Sequence, residues 1–384
     1  MKVKKLKDCC TIIAGQSPES KYYNTDGNGL PFFQGKADFG DLYPTIRIYC
    51  SQPTKIAEKD DILLSVRAPV GPTNLAPCQV CIGRGLTAIR PSEELLTRYV
   101  LLFFRYFEAQ LASKGTGTTF KAITQDIVKN LEIPTLPLPE QKRIVARIEE
   151  LFSQLDAGVE TLNKTKAQLA VYRQAVLKEA FDRIDTFTSL GEIADRVFDG
   201  PFGTHLKTAD YTDSGVRVVR LENLKNSWFD DSKKSYVTVE KYETIKSHTI
   251  IPSDLIMSTF ISESIKICQL PSYVGYAVNK ADCIGIRLKP AMVPKFLMYY
   301  LSSKRAYDNL IHQVHGATRP RVNTKQIKAI PVPSIGINEQ ESIVTEIESR
   351  LSFCDSIEQT VGTALQQAEA LRQSILKQAF EGKL

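Results

Sequence analysis

Long apolar runs are missing from this chain of 384 residues: Tyr99 to Phe104, which no run exceeds, falls far short of the roughly 20 residues that cross a bilayer. Its opening, "MKVKKLKDCCTIIAGQ", turns polar too early for an export signal, so a cytoplasmic location is expected. No GxxxxGKS or GxxxxGKT phosphate loop occurs, and no asparagine-proline-proline-aromatic tetrad. The paired glycines of "DGNGL" and "KGTGTT" lack the strand-loop-helix context that a nucleotide needs, and no carboxylate cluster has catalytic spacing. These absences argue against a stand-alone methyltransferase or nuclease, and a non-catalytic chain is expected.

The eight cysteines follow no disulfide framework of a small secreted domain. Cys78 and Cys81 form a lone CxxC, and the nearest partners, Cys9 and Cys10, are adjacent where a second zinc knuckle needs spacing. Buried thiols are the expectation there. His312 and His315 form an HxxH without an acidic or cysteine pair nearby, so they read as loop histidines and no metal is expected.

What is present is a duplication. Aligning Glu140 with Glu339 matches Gln141/Gln340, Ile144/Ile343, Val145/Val344, Ile148/Ile347 and Asp156/Asp355, and runs without a gap to Phe181 and Phe380. Near the end "RQAVLKEAF" faces "RQSILKQAF". Positions seven apart read Ile148, Leu155, Leu162, Leu169, Val176 in one copy and Ile347, Cys354, Val361, Ala368, Ile375 in the other. A stripe sustained over about five heptads predicts a coiled-coil seam. The companion series are mixed: Ile144, Leu151, Gly158, Thr165, Tyr172, and Ile343, Arg350, Ile357, Ala364, Leu371. Gly158 and Gly362 each cost about 1 kcal/mol against Ala, so pairing must hold the helices. Each copy follows a proline-rich entry, "IPTLPLPEQ" and "IPVPSIGINEQ", where extended chain ends and a helix begins. A rod of roughly 60 Å follows from 1.5 Å per residue, and antiparallel pairing would carry two domains toward its opposite ends.

The regions ahead of the rods repeat too. "KDD" precedes "ILLS" at Ile62 to Ser65, and "PSD" precedes "LIMS" at Leu255 to Ser258, each a short buried strand after an acidic turn. "LTAIRP" faces "IGIRLKP", each followed by an aromatic amphipathic helix, expected at Thr97–Ala112 and Val293–Gln313. "GTGTTFKAITQDI" then faces "HGATRPRVNTKQI". Between these shared elements, "GNGLPFFQGKADFGDLYPTIRIY" and "GPFGTHLKTADYTDSGVRVVRLENL" show no clear agreement, which suggests two scaffolds that carry different loops for different ligands.

Charge follows the same division. The net charge is +6, yet segment 139–183 carries +1 and segment 338–384 carries −4, which leaves +9 on the two globular regions. A nucleic-acid reader needs this distribution, while a solvated basic surface without a ligand is the plain alternative.

In this order of parts, with "LPEQKRIVARIE" opening the first rod and "LRQSILKQAFEGKL" ending the second, the chain resembles the DNA specificity subunit of type I restriction-modification systems along essentially its whole length. "GTGTTFKAI" and "GATRPRVNT" look like that family's domain-closing motif. The resemblance implies an α+β fold: two homologous globular target recognition domains separated by two long helices paired as an antiparallel coiled coil. The domains would be residues 1–138 and 185–337, and the spacer helices 139–184 and 338–384. It also implies that each recognition domain reads one half of a bipartite double-stranded DNA site and that the helices set the spacing. Half-sites about one helical turn apart, roughly 34 Å, suit such a spacer. Two methyltransferase subunits would dock on the helices and restriction subunits would join through the complex. Adenine methylation with S-adenosylmethionine, and cleavage driven by ATP with Mg, would reside in those partners, with no cofactor in this chain. A coiled-coil adaptor that recognises proteins is the competing reading.

Candidate DNA contacts follow from chemistry. Phosphates want Lys, Arg and hydroxyls beside loops where backbone amides approach: Lys114, Thr118 and Lys121 in the first domain, Thr318, Arg319 and Arg321 in the second. Base edges want forked groups, Arg for guanine and Asn or Gln for adenine. Gln34, Lys36, Arg67 and Arg84 are the candidates in the first domain, and Lys207, Arg217, Arg220 and Asn223 in the second. For each of them a surface salt bridge is the competing role.

Overall fold

The "ILLS" and "LIMS" runs are strands buried on both faces, which is why they read as unbroken apolar stretches. The structure is a computed structural model and describes residues 2–115, 122–312, 314 and 320–384. The chain divides into two compact units, residues 1–163 with 362–384, and residues 164–361.

In the first unit the strands that place the site are β1 (Cys10–Ala14), β2 (Leu30–Phe33), β3 (Ile62–Ser65), β4 (Thr73–Leu75), β5 (Val80–Ile82) and β6 (Leu86–Pro91). Helix α1 (Thr97–Ser113) and the long α2 (Leu138–Asp182) follow. An antiparallel sheet runs in the order β1-β6-β3-β4, and β2 pairs in parallel with β5 in a separate five-stranded sheet. Alternation along β3 then builds two cores. Ile62 and Leu64 face a cluster with α1, while Leu63 faces Phe33, Val80 and Ile82.

The second unit repeats this plan with β7 (Ala194–Phe198), β8 (Val216–Val219), β9 (Leu255–Ser258), β10 (Ile267–Gln269), β11 (Ala277–Asn279) and β12 (Cys283–Leu288). The antiparallel order is β7-β12-β9-β10, and β8 pairs in parallel with β11. Helices α3 (Pro294–Leu301) and α4 (Lys304–Ile311) come next, then α5 (Ile337–Phe380). A single helix over Val293–Gln313 is the sequence expectation, and the structure breaks it in two. Ser302 Oγ bonds back to the Met298 carbonyl, and Ser303 leaves the helix to cap the next one, accepting from the Ala306 amide at 3.3 Å.

Each globular domain is closed by a strand pair that joins its beginning to its end: Lys2–Lys5 with Glu132–Thr135, and Phe187–Ser189 with Pro331–Pro333. The long helix starts directly after that closure. A buried glutamine fixes its first turn in both copies. Gln141 accepts from the Leu96 amide at 2.8 Å and donates to the Glu94 and Leu136 carbonyls; Gln340 accepts from Val293 and donates to Ala291 and Ile335.

The helices pair antiparallel within each unit. In the first, Arg143 reaches the Leu384 carbonyl while Asp156 meets Arg372. In the second, Arg173 pairs with Asp355 at 2.5 Å and Glu179 with Arg350 at 2.9 Å. The Arg–Asp contact is thus made twice with the helices exchanging roles. So is an aromatic plug: Phe380 packs on Tyr99 and Phe103, and Phe181 on Phe296 and Tyr300, with ring centroids 5.2–5.6 Å apart. Arg305 Nη1 donates to the Phe181 carbonyl at 2.8 Å and ends α2 with a cation at its negative pole.

Candidate nucleic-acid interface

Where β3 ends, Ser65 Oγ donates to the carbonyls of Arg67 (3.1 Å) and Pro69 (2.8 Å) and fixes the turn that projects Arg67. Gly85 permits the neighbouring loop to approach, because a Cβ there would lie 2.2 Å from the Gln34 carbonyl. These two constraints bring Gln34, Lys36, Arg67 and Arg84, four candidates scattered over 50 residues, around one cavity of about 240 Å³. All four are exposed, and neither Arg67 nor Arg84 has a carboxylate partner among the described residues. Other arginines of this domain are engaged: Arg90 with Asp61, Arg98 with Glu149, Arg105 with the Asp41 carbonyl.

The same cleft exists in the second unit, and its framework bonds repeat one for one. Val66 N donates to Gly85 O at 3.0 Å and Thr259 N to Asp282 O at 3.0 Å. Ile123 N donates to Val66 O, and Val322 N to Thr259 O; Gly83 N donates to Phe33 O, and Lys280 N to Val219 O. Ser258 Oγ donates to the Phe260 carbonyl at 3.0 Å, as Ser65 does to that of Arg67. The lining differs. Leu221, Ser258, Phe260, Ile261, Ser262, Lys266 and Pro320 surround a cavity of about 440 Å³. Phe260 therefore stands where the first unit has Arg67.

The remaining candidates are distributed as follows. Lys114 is exposed at the end of α1, with its ammonium 5.4 Å from the Phe107 ring centroid. Lys207 is exposed, and its amide donates to Asp210 Oδ2. Arg220 is half-buried over the Tyr211 ring, 3.5 Å from Glu222. Arg321 is exposed, paired with Asp282 at 2.9 Å and 4.1 Å from the Phe260 ring centroid. Thr118, Lys121, Thr318 and Arg319 lie outside the described residues.

Two candidates need correction. Asn223 is 2% exposed; its Nδ2 donates to the Asp230 and Lys233 carbonyls at 2.8 Å and its Oδ1 accepts from the Arg220 amide, so no amide edge is left for a base. Arg217 is 6% exposed and held by Asp231 and the Lys233 carbonyl, both at 2.9 Å, in a separate cavity with Tyr236, Tyr273 and Tyr276. Both residues brace the 223–234 loop. Asp230 in that loop is held at about 2 by the Ser232 hydroxyl and amide and by Lys225. Burial, with the Arg220 guanidinium, lowers Lys280 beside it.

Sequence reasoning missed Leu221, Phe260, Ile261 and Lys266. Carrying the "ILLS"/"LIMS" match two residues further would have found Phe260 opposite Arg67. A larger cavity of about 900 Å³ lies in the first unit between α1 and the helix pair. It mixes Arg98, Arg105 and Arg372 with Glu108, Glu149, Asp156 and Glu369, so it offers a polyanion no net attraction. Burial there raises Glu108 and, with Arg98 and Arg372, lowers Arg105. No helix among the described residues is long and apolar enough to cross a membrane.

Residues 1–170 match the sequence model of a family described as the type I restriction modification DNA specificity domain. The chain is 40% identical over 167 residues to a protein of Methanocaldococcus jannaschii described as the type I restriction enzyme MjaX specificity subunit, covering 43% of this chain and 38% of that one. It is 22% identical over 372 residues to the type I restriction enzyme EcoKI specificity subunit of Escherichia coli K12, covering 91% and 80%. Among solved structures, the HsdS subunit from Thermoanaerobacter tengcongensis is 50% identical over 41% of this chain and 38% of that chain, with a TM-score of 0.38. The chain thus spans well under half of the first relative and of that solved structure. Residues 1–170 thus match a type I restriction modification DNA specificity domain, and the chain is similar almost end to end to a type I specificity subunit.

Proposed function

We propose that the chain is the sequence-reading, non-catalytic subunit of a DNA adenine methyltransferase and endonuclease complex. Each recognition domain reads one half of a bipartite double-stranded site, and the long helices set the interval. Two methyltransferase subunits dock on those helices, restriction subunits join through the complex, and S-adenosylmethionine, ATP and Mg act in these partner chains. The observation that carries the reading is the duplicated cleft: one framework with two unlike linings is what two unequal half-sites require. The Arg67 and Arg84 heads, which have no carboxylate partner among the described residues, favour a DNA ligand over the protein-adaptor alternative.

Selection from a library of random duplexes with the purified chain tests this. The expected product is two short fixed sequences separated by a fixed unread interval, with affinity that falls steeply as salt rises. A single continuous site, or binding indifferent to salt, would contradict the proposal. Arg67→Ala is expected to relax one half only.

A further inference from the structure

We infer that the two clefts read opposite features of the base pairs in the major groove: that of the first unit takes the acceptor edge of guanine, and that of the second takes the methyl group of thymine. The inference rests on the DNA-reading function proposed above and specifies its chemistry.

In the first cleft, Arg67, Arg84 and Lys36 are donors only, and Gln34 adds a donor and an acceptor. Guanine presents N7 and O6 to the major groove, two acceptors side by side, and a forked guanidinium is their natural complement. Ser65 fixes the backbone of Arg67, so its head group approaches from a set direction. Adenine would place its amino group against this excess of donors.

In the second cleft, Phe260 occupies the place of Arg67 and Ile261 follows it, with Leu221 and Pro320 completing an apolar wall. The Arg321 guanidinium stacks on Phe260 and is paired with Asp282. Arg220, on the loop that corresponds to Gln34, is drawn to Glu222 and over Tyr211. Among the described residues no forked donor is left to face the cleft. Of the four base edges only thymine offers an apolar group in the major groove. Lys266 on the lining supplies the positive charge that an adjacent phosphate would meet.

The test uses the full-length chain and base analogues in a selected duplex. Replacing thymine by deoxyuridine in one half removes only the methyl group and is expected to weaken binding about three- to fivefold. Replacing guanine by 7-deazaguanine in the other half removes only the N7 acceptor and is expected to cost about tenfold. Phe260→Ala should abolish sensitivity to deoxyuridine while sensitivity to 7-deazaguanine persists, and the double variant Arg67→Ala/Arg84→Ala should show the reverse. The analogue experiments on the unaltered protein decide the matter even if a variant fails to fold. A selected site without guanine in one half and thymine in the other, or tolerance of both analogues, would overturn the inference. Salt-dependent binding with such tolerance would leave the DNA-reading function standing, whereas loss of salt-dependent binding itself would remove that function. Tolerance of 7-deazaguanine with sensitivity to a neutral methylphosphonate backbone would assign Arg67 and Arg84 to phosphate and equally overturn it.

Discussion

Gln141 and Gln340 show how a single residue can be legible in its repetition and illegible in its role. They align in the sequence, but nothing in the pattern says that each is fully buried and holds three backbone groups that would otherwise be orphaned at the start of a long helix. Gln141→Leu keeps the volume and removes the partners, so two carbonyls and one amide lose their bonds in a buried site. The expected cost is about 1–3 kcal/mol, seen as a lower thermal midpoint, against roughly 0.5 kcal/mol or less for the exposed neighbour Lys142→Ala. Equal shifts for the two variants would mean that the glutamine is not a clamp. The same lesson applies at the candidate site. Asn223 has the right side-chain chemistry for a base, and only the folded backbone reveals that the Asp230 and Lys233 carbonyls and the Arg220 amide have already taken it up, while Arg217 Nη2 is held by Asp231 and the Lys233 carbonyl.

At the level of elements, the heptad stripe of the long helices was readable because its side chains are buried whether a partner helix or a globular core covers them: Ile148, Val176, Ile347, Cys354 and Val361 are all buried, the first three within the domain cores. The companion series was not readable in the same way. Tyr172 and Leu371 are 42% and 51% exposed and Gly158 lies in the open, whereas Ile144 turns into the core of the first globular domain. Each helix serves a partner helix over one stretch and a globular domain over another, and a strict repeat cannot satisfy both. The energetic weight falls on the aromatic plugs more than on the ion pairs. Arg372 and Asp156 are solvent-exposed on at least one side, so their contact is worth at most about 1 kcal/mol. Phe380 is 6% exposed between Tyr99, Phe103 and Tyr106. Phe380→Ala is therefore expected to destabilise by about 3–5 kcal/mol, and Asp156→Ala by less than about 1 kcal/mol, in denaturant titrations. The opposite ranking would make the pairing electrostatic.

At the level of the whole molecule, duplication made the architecture readable, since two copies of every framework element are two independent readings of one pattern. The cleft-lining loops stayed opaque for the complementary reason: they are where the copies disagree, so neither informs the other. This division of constancy and variation bears on function. If the loops choose the bases, the helices must choose the interval, and interval is a matter of residue count. Removing four residues from α2 (Glu160–Asn163) together with four from α5 (Leu365–Ala368) deletes about one helical turn from each, which keeps the seam on nearly the same face and shortens the pair by about 6 Å. At about 3.4 Å per base pair this corresponds to roughly two base pairs of the unread interval. Selection from random duplexes should then return the same two half-sites with that interval shortened, because the clefts around Arg67 and Phe260 are untouched by the deletion. Unchanged half-sites at an unchanged interval would show that the helices do not set the spacing.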